Sequence, residues 1–152
     1  MEINENSQNE LEYEGKIAAK RLAEPFPPEA SLTAEQAQAL HNKLLVIQAV
    51  NYKKHGYTDI KVNHARYGER QPAAVDGYTP DLSAMMDSQI TICEVETHES
   101  INDLQTIEKW KAFDNSGCQF HLIVPFDDFT QVKDITKCNG ISVDKYWHIK
   151  DY

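Results

Sequence analysis

Apolar positions in this chain fall into two periods, and the switches between them mark out the elements. From Ala34 onward Leu40, Leu44, Ile47 and Val50 recur at helical spacing, Ser31 or Thr33 can cap the start, and His55-Gly56 ends the run. A short strand is expected at 59–63, followed by a polar stretch punctuated by Gly68, Pro72 and Gly77. Tyr78–Ala84 is short and interrupted by proline, whereas Gln89–Glu96 reads QITICEVE, β-rich and apolar, so the two are expected to pair as a hairpin. The period then changes over ESINDLQTIEKWKAF, where Ile101, Leu104, Ile107 and Trp110 predict an apolar helix face. CQFHLIVP predicts a central strand stopped by Pro125, Asp127 or Asp128 opens a third helix that runs to about Lys137 and closes at Asn139-Gly140, and Lys145–Ile149 predicts a last strand. The expected order is helix, three strands, helix, strand, helix, strand: an α/β fold with a central mixed sheet flanked by helices.

Length and composition fit a single domain. The chain has 152 residues, 41% hydrophobic and 26% charged, with no apolar run approaching a membrane span. The first 30 residues are polar, end in the breaker-rich EPFPPEA and predict a flexible arm ahead of a domain at 31–152. Nothing in MEINENSQNELEYEG resembles a secretory signal, which makes the cytoplasm the expected location. Cys93, Cys118 and Cys138 are far apart and odd in number, and are expected to be free thiols.

Charge alters this picture in one place. The net charge of −9 argues against binding nucleic acid by charge alone, but residues 1–30 carry seven acids against three bases. Asn51–Arg70 has the opposite sign, with Lys53, Lys54, Lys61, Arg66 and Arg70 against Asp59 and Glu69, and these five are the candidate nucleic-acid contacts.

Candidate chemistry lies where GYTPDL (Gly77–Leu82) meets ICEVET (Ile92–Thr97). Alternation puts Glu94 and Glu96 on one face of a strand, and a hairpin partner brings Asp81 beside them. Three converging carboxylates need a cation or protons to offset their charge, and hard oxygen ligands suit Mg2+ or Mn2+.

The order αβββαβ, with Pro-Asp at the start of one strand and Glu-x-Glu on the next, resembles the restriction-endonuclease-like PD-(D/E)XK nuclease superfamily over about Thr33–Pro125. The resemblance implies metal-ligand roles for Asp81 and Glu94 and hydrolysis of DNA or RNA phosphodiesters, as an endonuclease or exonuclease, by a water that the metal activates. Glu96 occupies the place of the family's usual lysine, as in a minority of members, and would position or deprotonate that water. Lysines sometimes move to the following helix, which makes Lys109 and Lys111 candidates for stabilising phosphate charge, with Gln105 nearby. Glu35 matches an acidic position of the first helix, and dimers are common in the superfamily. A module that keeps the fold, lacks catalysis and binds nucleic acid or a protein is the alternative reading.

Overall fold

The computed structural model describes residues 29–64 and 71–152. Helix α1 spans Ala34–Lys54 and is followed by β1 (Thr58–Val62), β2 (Leu82–Met86), β3 (Gln89–Val95), α2 (Leu104–Asp114), β4 (Gln119–Pro125), α3 (Phe129–Cys138) and β5 (Lys145–Ile149). Single 3-10 turns lie at Glu29–Ser31 and Phe126–Asp128. The expected order therefore holds, and Thr33 rather than Ser31 is the cap. Its side chain accepts from the Gln36 N–H while the Gln36 side chain accepts from the Thr33 N–H, a complete capping box. At the other end Gly56 (φ +86°) lets Tyr57 N–H reach the Tyr52 carbonyl and Gly56 N–H that of Lys53, the two bonds of a Schellman stop.

One five-stranded sheet runs in the order β1-β2-β3-β4-β5. The first two pairings are antiparallel and the last two parallel, so α2 and α3 serve as crossovers from β3 to β4 and from β4 to β5. Alternation along β3 sorts the core into two layers. Cys93 and Val95 join Leu40, Leu44, Ala49 and Tyr52 of α1 on one face, and Ile92 joins Trp110, Phe113, Phe120 and Val132 on the other. None of the helices among the described residues is long and apolar enough to cross a membrane.

Two expected helix faces are corrected. In α1, Ile47 and Val50 are only half-buried, and the core side is Leu40, Leu44, Leu45, Gln48, Ala49 and Tyr52. In α2 the expected stripe begins too early. Asp103 caps the helix by accepting from the Gln105 N–H, so the buried Ile101 lies in the turn before it and Leu104 is 76% exposed. Thr106, Trp110 and Phe113 form the buried face instead. Glu29, within the expected arm, is tied by its carboxylate to the His98 N–H at 2.9 Å. The remainder of the expected arm, residues 1–28, lies outside the described residues.

Candidate metal and catalytic site

The acidic residues are brought together by the β2–β3 hairpin. Asp87 and Ser88 (φ 50° and 64°) both occupy the left-handed region required by a two-residue type I′ turn, and Met86 pairs with Gln89. That turn fixes the register: Leu82 pairs with Cys93, which sets Asp81 against Glu94. The two acids then clamp one another through the backbone. Asp81 N–H donates to Glu94 Oε1 and Val95 N–H donates to Asp81 Oδ2, each at 2.8 Å. One oxygen of each carboxylate is thus fixed by a peptide group, and the other, Asp81 Oδ1 or Glu94 Oε2, is left to side-chain chemistry.

Glu96 follows β3 on the same face as Glu94, with its backbone N–H held by the Ile123 carbonyl. Each oxygen of its carboxylate accepts a hydrogen bond: the Ser100 hydroxyl donates to Oε2 at 2.5 Å and the Trp110 indole N–H to Oε1 at 3.2 Å. Between the two glutamates stands the ammonium of Lys109, 2.8 Å from Glu94 Oε2 and 3.7 Å from Glu96 Oε1. Its position follows from the rotation of α2. Trp110 faces the core, and the residue before it is carried to the mouth of the sheet.

The electrostatics follow from burial. Glu94 and Glu96 are each 1% exposed. Burial pushes Glu94 well above the usual carboxylate range, Asp81's charge adds to this, and Lys109 opposes it. Burial also raises Glu96, against Lys109 and the Ser100 hydrogen bond. Burial alone would raise Asp81 too, but His41, the Val95 N–H and Lys109 hold it below its ordinary value. For Lys109 burial is outweighed by the charges of Glu94 and Glu96, which hold the ammonium protonated.

His41 is a residue that sequence reasoning missed. From α1 its Nε2 lies 3.5 Å from Asp81 Oδ1, and its Nδ1 is buried with no hydrogen-bond partner. Burial would favour the neutral ring, but Asp81's hydrogen bond and charge win and raise its pKa. The available signal was its place one turn past Ala37 on the helix that packs across β2 and β3. His41, Ala37, Gln38, Asp81, Glu96 and Lys109 line a cleft of about 360 Å³ together with Thr97, Glu99 and Ser100.

Other expected contributors are placed elsewhere. Lys111 and Gln105 are exposed and line no part of the cleft. Glu35 is exposed in the first turn of α1. Lys53 and Lys54 are exposed at the far end of α1, at least twelve residues beyond His41, or about 18 Å along the axis at ~1.5 Å per residue. The structure therefore does not bring them to the cleft. Lys61 on β1 is half-buried and paired with Asp59 at 3.5 Å. Arg66 and Arg70 lie outside the described residues.

Among the described residues, no group of three or more histidine, cysteine, aspartate or glutamate side chains stands disposed to hold a metal ion. A cation of the chain itself, Lys109, stands against two of the three acids. Carboxyl oxygens are nevertheless the donor type that hard cations take. Asp81 Oδ1 and Glu94 Oε2 are carboxyl oxygens whose partner oxygens are fixed by the backbone, and the side chains of His41 and Lys109 now face them. Comparison of the chain with protein-family models, with curated proteins and with solved structures gave no match.

Proposed function

We propose that this chain is a metal-dependent nuclease of PD-(D/E)XK type, hydrolysing phosphodiester bonds of DNA or RNA with Mg2+ or Mn2+ held by Asp81 and Glu94. The observation that carries the reading is the reciprocal clamp between these two acids, which spends two backbone N–H groups on orienting a half-buried aspartate and a buried glutamate. Such pre-orientation serves a ligand more than it serves the fold, since an apolar pair at the same position would avoid the cost of burying charge. An antiparallel hairpin that continues into parallel crossovers agrees with the restriction-endonuclease-like core.

A bound divalent cation would supply Lewis acidity at the phosphate and lower the pKa of water. The chain's residues do the rest. Glu96, fixed by Ser100 and Trp110 and raised by burial, is the proton acceptor for the attacking water, a stronger base than a free carboxylate. Lys109, once Glu94 turns to the cation, offers its ammonium to a phosphate oxygen. His41 holds the orientation of Asp81. Action in the cytoplasm and pairing into a homodimer to cut two strands belong to the same proposal.

A binding module on the same fold is the second reading, and the internal pairing of Lys109 with both glutamates favours it, because those acids are neutralised without a metal. Calorimetric titration of Mn2+ and Mg2+ into wild type and Glu94→Ala, beside cleavage assays on single- and double-stranded substrates, separates the two. Metal binding and cleavage that both disappear in the variant are expected. Wild-type protein that takes up neither ion refutes the nuclease reading, and one that binds nucleic acid without cutting it selects the module.

A further inference from the structure

A second pair of acids lies outside the cleft, where the 3-10 turn before α1 meets the turn after β4. Asp128 is 4% exposed, and its Oδ2 is buried with no hydrogen-bond partner, while Oδ1 lies 3.3 Å from His98 Nδ1. Glu29 Oε2 accepts from the N–H of the same His98 at 2.9 Å, so both acids are held against one residue and each feels the other's charge. Two ionised carboxylates so close would repel one another, and neither could serve the other as donor. A proton on Glu29 removes the repulsion and gives the orphaned Asp128 oxygen a donor.

We propose that the Glu29–Asp128 carboxyl pair is a proton-operated clasp that fastens the entrance of α1 to the turn after β4. The clasp borders the cleft: Glu29 leads within five residues to Ala34, and His98, which contacts both acids, lies between Thr97 and Glu99; Ala34, Thr97 and Glu99 line the cleft. The groups facing Glu29 are Asp128 and Asp127 from the turn after β4, His98 from the loop after β3, and Tyr152 beyond β5. Two of these four, Asp127 and Asp128, favour the protonated acid. Asp127 and Asp128 repel the carboxylate, and the Tyr152 hydroxyl is itself pushed up to about 12 by burial and by the same acids. Burial, then the Asp128 hydrogen bond, raise Glu29 to about 8, against the His98 N–H. Because this folded value lies above that of a free carboxylate, the clasp is complete in mild acid, weakens as pH rises and opens through about pH 8. The clasp is independent of metal and of any nuclease activity.

The test follows the His98 backbone amide by 1H–15N NMR from pH 6 to 9 in the full chain, in wild type and Glu29→Gln. Glutamine donates to Asp128 Oδ2 at every pH while its carbonyl still accepts from His98 N–H. A wild-type amide shift with a midpoint near 8, absent from Glu29→Gln, is expected. The wild-type thermal midpoint should fall relative to that of the glutamine variant as pH rises toward 8. A His98 shift without a transition near 8, or the same transition in both proteins, overturns the clasp. Glu29→Ala, which leaves Asp128 Oδ2 without a donor, should melt lower than Glu29→Gln at pH 6, and equal midpoints would count against the proposal.

Discussion

Replacing Lys109 with methionine keeps the length and apolar stem of the side chain and removes only the cation, leaving Glu94 and Glu96 buried without it. At separations of 2.8 and 3.7 Å the gross attractions are about 6 and about 4 kcal/mol with an effective dielectric constant of ~20. Most of this is offset in the wild type by the cost of stripping water from the charges. Removing one partner of a buried pair typically costs about 3–5 kcal/mol. Lys109 keeps 26% exposure, so the lower end applies, about 3 kcal/mol or a fall of about 2 M in the urea midpoint for a domain of this size. The loss should depend on pH. Without the ammonium, Glu94 and Glu96 are raised further above their unfolded values, so the folded variant holds protons that the unfolded chain releases. Its deficit is then small in mild acid and grows as pH rises through the folded values. Urea unfolding of wild type and Lys109→Met at pH 5 and pH 8 measures this directly. A deficit of equal size at both pH values, or no deficit at pH 8, would refute the claim that Lys109 is the counter-ion of the cluster. Manganese supplies a second arm: if Asp81 and Glu94 are ligands, the ion should raise the variant's midpoint more than that of the wild type.

Three further outcomes test separate parts of the structure. His121 is 3% exposed and accepts at Nδ1 from the Tyr52 hydroxyl and the Trp147 indole N–H, and burial drops its pKa to about 4. Since the unfolded ring titrates near 6.5, stability is complete above that pH and declines toward 4, by at most about 3 kcal/mol. His121→Gln should flatten that acid limb in urea titrations. Thr33→Ala removes the acceptor for the Gln36 N–H and should cost about 1 kcal/mol, read from the same unfolding curves. Asp81→Asn keeps an acceptor for Val95 N–H but removes the charge beside His41. The His41 pKa, followed by NMR, should fall while stability changes by about 1 kcal/mol or less.

Much of the fold was legible because it rests on local chemistry. Thr33 with Gln36, His55-Gly56 and Asn139-Gly140 each stop or start a helix by hydrogen bonds among neighbouring residues. The pairing of Asp81 with Glu94 was legible for a related reason: a tight turn at Asp87-Ser88 leaves little choice of register. The rotation of α2 was not. It depends on which residue caps the helix, and Asp103 as cap turned Leu104 outward and chose Lys109 over Lys111 as the lysine that meets the acids. Contacts between residues distant in sequence, His41 with Asp81 and Glu29 with His98 and Asp128, leave no periodic trace, because each depends on how whole elements pack.

The cluster's charge balance bears on which reading of the site is favoured. Asp81, Glu94 and Glu96 can carry three negative charges, Lys109 returns one positive, and His41 adds another only while protonated. Above the range in which His41 keeps its proton the balance is two negative charges, which a buried site sheds by binding protons, as the raised Glu94 and Glu96 do, or by binding a divalent cation. The two routes compete for the same oxygens, so cation binding must expel protons. Heats of Mn2+ binding measured in buffers of different ionisation enthalpy should therefore differ, and the difference should shrink as pH rises and the protons are already gone. A module that uses Lys109 as its permanent counter-ion would show no such dependence.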